Sequence, residues 1–176
     1  MGRKLHIGGW VRADGWEVLD ANAGAAVDHV GDAGDLGRFP DGTFECLYAS
    51  HVLEHFDYKD ALAKTLREWW RVLGPGGKLY VSVPDLVTLA SLLVVKDQFS
   101  LDERFQIMRI LFGGHVDQHD YHQVGLDADF LAVFLGEAGF VNLTRVPAFG
   151  LFDDTSSMLF KGIPISLNVI AEKPPA

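Results

Sequence analysis

A stretch in the middle of the chain, residues 41–85, constrains the fold more than any other part of the sequence. It opens with an apolar run, Phe44–Ser50, behind an Asp-Gly turn, which predicts a strand. Residues 79–83 are again apolar and β-branched, and Pro84 ends this second strand. A strand, a helix and a second strand in this order form a βαβ unit, whose right-handed crossover makes the strands parallel. The sequence therefore predicts the α/β class, with a doubly wound, mostly parallel sheet.

The sequence between these strands predicts a helix, with a capping residue at its start, a turn at its end and one apolar face. Asp57 is its predicted N-cap, because a short side-chain acceptor there satisfies a free backbone N–H group. Residues 74–77, Gly-Pro-Gly-Gly, predict a turn that ends the helix, since proline cannot continue it. The apolar positions at helical spacing are Leu62, Leu66, Trp69 and Leu73. We predict that Trp69 packs in the core and that Trp70 covers the sheet edge.

Further apolar runs complete the predicted sheet. Three strands precede the βαβ unit, at residues 4–8, Trp16–Asp20 and residues 27–30. Two follow it, at residues 140–149 and 165–172, and these form an antiparallel pair at the C-terminal edge of the sheet. Helices are predicted at residues 86–95, Leu101–Phe112 and residues 127–138. Asp153 and Asp154, between the last strands, are predicted to be solvated turn residues. The whole chain, residues 1–176, is predicted to form a single domain.

Charge and composition argue against several classes of partner. The 24 acidic and 15 basic side chains give a net charge of -9, which disfavours nucleic acid or an anionic membrane. No apolar stretch is long enough for a signal peptide or a membrane span. The single cysteine, Cys46, can form no internal disulfide and suits a reducing compartment. We therefore expect a cytoplasmic protein without nucleic-acid or membrane partners, and a homodimer is compatible with the sequence.

Polar side chains follow the ends of the predicted parallel strands, where ligands bind in sheets of this kind. His51, Glu54 and His55 come after the first strand of the βαβ unit, and Asp85 follows the second. Asp85 has a second interpretation, because a carboxylate at that place can also cap the next helix. The cluster after the first strand predicts a small-molecule site at this edge of the sheet.

Earlier strands end in residues that suit a nucleoside. A glycine pair, Gly8 and Gly9, follows the first strand, and Asp20 and Asp32 lie at the ends of the next two. Glycines let the backbone approach a ligand closely, and a carboxylate at a strand end can accept both hydroxyl groups of a ribose. These features favour a nucleoside site at the same edge of the sheet.

Three segments, in this order, carry a resemblance to a known family: residues 36–44 (LGRFPDGTF), 49–55 (ASHVLEH) and 71–79 (RVLGPGGKL). The chain resembles the class I S-adenosylmethionine-dependent methyltransferases, and in particular their compact branch with a shortened first crossover. The resemblance covers nearly the whole chain. It implies a Rossmann-like sheet, S-adenosylmethionine as cofactor, and methyl transfer to a small-molecule or glycan acceptor.

The resemblance also implies which residues form the site. The cofactor-binding candidates are Gly8, Gly9, Asp20, Asp32, Ala33, Ser50 and His51. In these roles Asp20 holds the ribose, and Asp32 with the Ala33 amide holds the adenine. The catalytic candidates, as contacts of the acceptor or as a base for an oxygen nucleophile, are His51, His119 and His122.

One departure from the family motivates a second hypothesis. Trp10 occupies the family's third glycine position, and the residues between Gly9 and Trp16 are too few for a helix. The alternative function is therefore a non-catalytic binding or assembly module, which keeps the methyltransferase fold with a degenerate cofactor site.

Two groups of histidine and acidic residues resemble metal-ligand sets, but the sequence predicts no metal site. Residues 51–55 match the H-x-x-E-H pattern of inverted zinc proteases, but such a site needs both histidines on a formed helix and a third ligand. We interpret Glu54 and His55 instead as hydrogen-bonding residues at the start of the helix. The second set consists of His115, Asp117, His119, Asp120 and His122, for which a solvated polar loop is the competing interpretation.

Overall fold

The computed structural model describes residues 2–116 and 118–176. Its strands are β1 (Arg3–Ile7), β2 (Trp16–Asp20), β3 (His29–Val30), β4 (Phe44–Ser50), β5 (Leu73–Pro84), β6 (Val141–Val146), β7 (Leu159–Phe160), β8 (Ile163–Pro164) and β9 (Ser166–Glu172). Its α-helices are α1 (Ala61–Val72), α2 (Leu86–Val94), α3 (Leu101–Phe112) and α4 (Ala128–Glu137). Single 3₁₀ turns lie at Leu53–His55, Lys96–Gln98 and Thr155–Ser157.

The main sheet has the strand order β3-β2-β1-β4-β5-β9-β6, and β7 and β8 form a separate small hairpin. β1 to β5 pair in parallel, and β9 runs antiparallel to both of its neighbours, β5 and β6. The predicted α/β, mostly parallel sheet is therefore confirmed, as is the antiparallel pair of the last two strands. The antiparallel C-terminal strand itself lies one place in from the edge, which β6 forms.

The junctions around α1 differ from the prediction. Its N-cap is Asp60, three residues later than predicted, because Asp57 closes the preceding turn instead. Asp57 Oδ1 accepts hydrogen bonds from the amides of Lys59 (2.9 Å) and Asp60 (3.2 Å). At the other end, β5 begins directly after α1 and includes the Gly-Pro-Gly-Gly segment. That segment joins the strand because it bonds to the end of the chain, with the Lys173 amide donating to the Gly77 carbonyl (2.9 Å).

Helices α1 and α4 cover one face of the main sheet. Their buried leucines and Trp69 form a core with the inward-facing residues of β1, β4, β5 and β9. Helices α2 and α3 pack on one another around Leu89 and Ile107, together with Phe160 and Ile165. In the part of the chain that the structure describes, no helix is both long and apolar enough to cross a membrane.

The opposite face of the sheet is covered by the connection between β6 and β9 rather than by a helix. The ring of Phe152 packs on His6 and Tyr48, with centroids 4.2 and 4.5 Å away. The Tyr48 hydroxyl donates to the Asp154 carboxylate (2.8 Å), which also accepts from the Ser156 amide (2.9 Å). The interpretation of Asp154 as a solvated turn residue is therefore wrong, because this carboxylate is the acceptor that the buried Tyr48 hydroxyl requires.

The two tryptophans of α1 take their predicted places. Trp69 is fully buried, and its Nε1–H group donates to the Ala33 carbonyl (2.8 Å). Trp70 is half-buried and donates to the Gly139 carbonyl (3.1 Å), with the Lys173 ammonium over its ring. Trp69 thus ties α1 to the loop that follows β3.

Candidate functional site

An open cleft of about 580 Å³ lies at the carboxyl ends of β1 to β4. Five of the predicted cofactor-binding residues line it: Gly8, Asp20, Asp32, Ala33 and His51. Apolar side chains form part of its wall: Leu19, Val52 and Phe56. Small-molecule sites in proteins span roughly 300–1,000 Å³ and combine apolar walls with a few polar groups, so the cleft can hold a nucleoside-sized ligand.

Gly8 is required at the floor of this cleft. Its φ of +72° lies in the left-handed region, and a Cβ atom would come within 2.6 Å of Val52 Cγ2. The Gly8 amide donates to the Leu19 carbonyl (2.7 Å), which fixes the turn after β1 against β2. The glycine predicted here from ligand approach therefore also has a steric reason to be glycine.

We expect Gly8→Ala to lower both stability and cofactor affinity. The left-handed backbone costs a non-glycine residue about 1–2 kcal/mol, and the clash with Val52 adds to this. In a double-mutant cycle measured by urea denaturation, Val52→Ala should recover about 1 kcal/mol of the loss, because it removes the clashing methyl group. Strictly additive losses in the two variants would show that the Cβ atom meets no such obstacle.

Asp20 and Asp32 are held in the same way at the ends of neighbouring strands. Asp20 Oδ1 accepts a hydrogen bond from the Asn22 amide (2.7 Å), and Asp32 Oδ1 accepts from the Gly34 amide (2.7 Å). Each carboxylate thus uses one oxygen to fix its own loop. Both carboxylates line the cleft, as does Ala33. The Ala33 carbonyl accepts a hydrogen bond from the Trp69 indole.

Gly9 and Ser50 do not line the cleft. They border a separate cavity of about 10 Å³ together with Trp10. Ser50 Oγ shares a hydrogen bond with Thr155 Oγ1 (2.8 Å), and a Cβ atom on Gly9 would meet the His6 ring at 2.6 Å. Ser50 therefore bonds to the segment that covers the second face of the sheet, and Gly9 lies against the His6 ring. The Trp10 side chain is 68% exposed and does not line the cleft.

His51 stands at the border of the cleft and a second open cavity of about 410 Å³, because it lines both. Its φ of +54° is unusual for a side chain with a Cβ atom, and its amide donates to the Ser82 carbonyl (2.9 Å). His51 Nε2 lies 2.9 Å from Ser166 Oγ, whose own proton goes to the Thr155 carbonyl (2.7 Å). The proton of the His51 ring is therefore on Nε2.

Burial and the neighbouring His122 lower the pKa of His51 to about 3, so its ring is neutral at physiological pH. Burial and His55 likewise lower the pKa of His122 to about 4. Both histidines line the second cavity, where the polar groups include Arg109 and Asp120. A neutral ring next to the cleft adds no positive charge that would repel a cationic ligand.

Glu54 does not form the helix-start hydrogen bonds that the sequence suggested for it. Its side chain is fully buried, and neither carboxyl oxygen has a hydrogen-bond partner among the described residues. Oε1 lies 3.7 Å from His51 Nδ1 and 3.9 Å from His122 Nε2. Burial raises the pKa of Glu54 to about 8.

The polar loop between α3 and α4 forms part of the cleft and is not simply solvated. Its Gln123 amide donates to the Glu54 carbonyl (2.7 Å), and the Gln123 side chain donates to the His55 carbonyl (2.8 Å). These bonds hold the loop against the turn after β4. His119 lines the cleft, whereas His115 stacks on Tyr121 with ring centroids 4.0 Å apart.

The alternative metal set of this loop, for which no prediction was made, is not brought together among its described members. Among residues 2–116 and 118–176, the potential ligand atoms that lie within 4.8 Å of one another belong to Glu54, His55 and His122. Asp117 lies outside the described residues. Asp85 takes its alternative role, as the N-cap of α2 that accepts from the Thr88 amide (3.3 Å).

Several cleft residues were missed in the sequence: Asn22, Gln118, Tyr121 and Gln123. For Asn22 the sequence held a signal, since it stands two residues after Asp20, where its amide can bond to that carboxylate. For the loop residues no local pattern predicts that they fold back over the strand ends.

Comparisons with known proteins concern the domain type and the fold. A family model described as "Methyltransferase domain" matches residues 13–81, the segment that contains Asp20, Asp32 and His51. No curated protein matches the sequence.

The chain is also similar to solved structures. A SAM-dependent methyltransferase from Archaeoglobus fulgidus has a TM-score of 0.61 at 17% identity, over 98% of this chain and 86% of that one. One from Methanosarcina mazei has a TM-score of 0.60 at 16% identity, over 99% and 93%. A possible exported protein from Bordetella parapertussis has a TM-score of 0.57 at 16% identity, over 98% of this chain but 62% of that one.

At these identities the solved structures establish the fold, and the family model adds a methyltransferase-domain match over residues 13–81. The cleft has room for a ligand of the size of S-adenosylmethionine, and Gly8, Asp20 and Asp32 line it. The chain thus has the fold of the SAM-dependent methyltransferases, and residues 13–81 match a methyltransferase domain.

Proposed function

We propose that this chain is an S-adenosylmethionine-dependent methyltransferase, and that it acts on a small-molecule or glycan acceptor that binds in the second cavity. One observation carries the proposal: His51 lines both the cleft and the second cavity, so ligands in the two spaces meet at one side chain. The second cavity is open and has polar side chains suited to a hydroxylated acceptor: Gln106, Arg109, Asp120 and His122.

Within the cleft, we assign the cofactor contacts to five of the predicted residues. Asp20 accepts the ribose hydroxyl groups, and Asp32 with the Ala33 amide contacts the adenine. The Gly8 backbone approaches the methionine part, and His51 lies beside the sulfonium. We leave Gly9 and Ser50 out of the cofactor site, because they border a different and much smaller cavity.

When bound, S-adenosylmethionine supplies a methyl group attached to a positively charged sulfur. The chain's own contribution is chiefly to hold the acceptor atom in line with that methyl group, which can account for a large part of the rate. His51 and His122 border the space where the acceptor meets the cofactor, and His119 contacts the cofactor side. We propose these three histidines as the side chains nearest the reacting groups.

We further propose that the enzyme works in the cytoplasm and that it forms a homodimer. The free Cys46 thiol suits a reducing compartment. Exposed apolar side chains on two helices could bury one another between copies: Phe105 and Phe112 on α3, and Phe130 and Val133 on α4. Size-exclusion chromatography with light scattering tests the homodimer, and a monomer at micromolar concentration would contradict it.

The experiment that tests the function is titration with S-adenosylhomocysteine, followed by transfer of a labelled methyl group to a panel of hydroxylated small molecules and glycans. We expect binding by calorimetry, and at 100 times the dissociation constant a rise in melting temperature of about 5–10 °C. Absence of both heat and melting shift would favour the non-catalytic module instead.

Trp10→Gly is the matched control for that alternative. Because the Trp10 indole lies outside the cleft and is mostly exposed, the substitution should change cofactor affinity less than about twofold. A marked gain in affinity would mean that Trp10 does obstruct the cofactor.

A further inference from the structure

The buried carboxyl group of Glu54 lies next to His51 and His122, which both line the second cavity. Both oxygens of Glu54 are shielded from solvent and lack hydrogen bonds among the described residues. Buried polar groups are nearly always satisfied, and an exception calls for an explanation such as an ion that completes the site. The Glu54 environment therefore indicates a missing positively charged or donor partner.

Two histidines bring suitable ligand atoms to the same place. One ligand atom each from Glu54, His55 and His122 lies within 4.8 Å of the other two. Ligands of a tetrahedral Zn²⁺ ion are about 3.4 Å apart, given bond lengths of about 2.1 Å. The ligand atoms would thus need to approach one another by about 1.4 Å at most, which changes in side-chain torsion angles can provide.

The hydrogen bonds of both histidines orient them as metal ligands. His55 Nδ1 lies 3.2 Å from the Tyr121 carbonyl, and His122 Nδ1 lies 3.3 Å from the Leu111 carbonyl. A carbonyl only accepts, so each Nδ1 carries the proton and the lone pair is on Nε2. Metal-binding histidines commonly donate their other ring N–H group to a carbonyl in this way.

We propose that Glu54, His55 and His122 bind a divalent transition-metal ion, with Zn²⁺ favoured by two imidazoles and one carboxylate. This set differs from both patterns in the sequence. Glu54 and His55 belong to the H-x-x-E-H segment, but His51 of that segment is not a ligand. His122 belongs to the polar loop, but His115 of that loop is not a ligand. Three protein ligands leave at least one coordination position for another group.

The metal site would deepen the proposed function, on which this part of the inference rests. His55 lines the cofactor cleft and His122 lines the second cavity, so the ion would lie between them. Its open position could bind an oxygen of the acceptor and polarise it. His122 would then act through the metal, as a ligand, and not as the base that takes the acceptor's proton.

Metal content tests the site directly. The full chain is stripped with a chelator, dialysed against micromolar Zn²⁺ or Co²⁺, and measured by plasma mass spectrometry and by visible absorbance of bound Co²⁺. We expect about one ion per chain, with Co²⁺ bands typical of a four-coordinate site. Glu54→Gln and His122→Ala should each weaken metal binding about 100-fold or more, because each removes a ligand.

His115→Ala is the matched control, since His115 lies in the same polar loop but outside the ligand set. It should keep the metal. His55→Ala, at a partly exposed position, gives a second ligand deletion in case the buried Glu54 variant does not fold. Wild-type protein without bound metal, or equal loss in His115→Ala and His122→Ala, would overturn the proposal.

The metal site and the proposed function can fail separately. Binding of S-adenosylhomocysteine is measured on wild-type protein with and without the ion. If the metal-free protein binds this ligand but never takes up Zn²⁺ or Co²⁺, the metal site is refuted and the methyltransferase assignment stands. If it takes up metal but not the ligand, the proposed function fails.

Discussion

Asp20→Ala is expected to weaken the binding of S-adenosylhomocysteine about 100-fold. A carboxylate that accepts both ribose hydroxyl groups makes two charge-assisted hydrogen bonds, which are each worth about 1.5–3 kcal/mol. A net loss of about 3 kcal/mol corresponds to roughly two orders of magnitude in the dissociation constant. Asp20 Oδ1 also fixes the Asn22 amide, so alanine removes an anchor of the cleft as well. Calorimetric titration measures the effect.

Asp20→Asn separates the two roles of this carboxylate. Asparagine keeps an oxygen for the Asn22 amide but has no charge and one acceptor fewer, so affinity should fall by about tenfold. Asp97→Ala, which removes an exposed carboxylate outside the cleft, is the matched control and should bind normally. Equal affinities of Asp20→Ala and the wild type for S-adenosylhomocysteine would show that Asp20 does not bind the ribose.

Trp69→Ala is expected to lower the free energy of unfolding by about 3–5 kcal/mol. Deleting a large, fully buried aromatic side chain loses its transfer free energy and leaves a cavity. It also leaves the Ala33 carbonyl without its indole donor. Urea denaturation followed by circular dichroism measures the loss, and a change below 1 kcal/mol would contradict the packing described for α1.

Trp69→Phe tests the link between this helix and the cleft. Phenylalanine keeps most of the packing but loses the bond to Ala33, so we expect weaker cofactor binding together with a smaller loss of stability. Trp70→Phe is matched to it, because it deletes a similar bond to the Gly139 carbonyl (3.1 Å) away from the cleft. It should reduce stability without changing cofactor affinity. If both variants lose cofactor affinity equally, the Trp69 bond has no special role.

The sheet and much of the cleft could be predicted from the sequence because their signals are local. Strand and helix patterns are read over about ten residues, and the strand ends of a parallel sheet meet at one edge. Asp20, Asp32 and His51 each end a recognisable strand, and the structure brings all three to one cleft. The position of each residue at the end of its own strand was enough to predict that the three lie at the same cleft.

The remaining features depend on contacts between distant parts of the chain, which no local pattern encodes. Glu54 is buried partly because Gln123, far along the chain, binds its carbonyl, so the sequence around Glu54 gave no indication of it. Ser50 and Gly9 were predicted to line the cleft. They border a separate small cavity instead, where Ser50 bonds to Thr155 in the connection between β6 and β9. Asp154 was predicted to be solvated because its hydrogen-bond partner, Tyr48, is 106 residues away in the sequence and no local pattern indicates the contact.

The fastening of β4 to the last part of the chain has a consequence during synthesis. His51 is bonded to Ser166, 115 residues later, and Ser50 to Thr155, 105 residues later. A nascent polypeptide can form the βαβ unit early, but it cannot fix His51 and Ser50 in this way until Thr155 and Ser166 have left the ribosome. The border between the two cavities is therefore fixed later than the βαβ unit, because contacts between residues this far apart in the sequence form slowly.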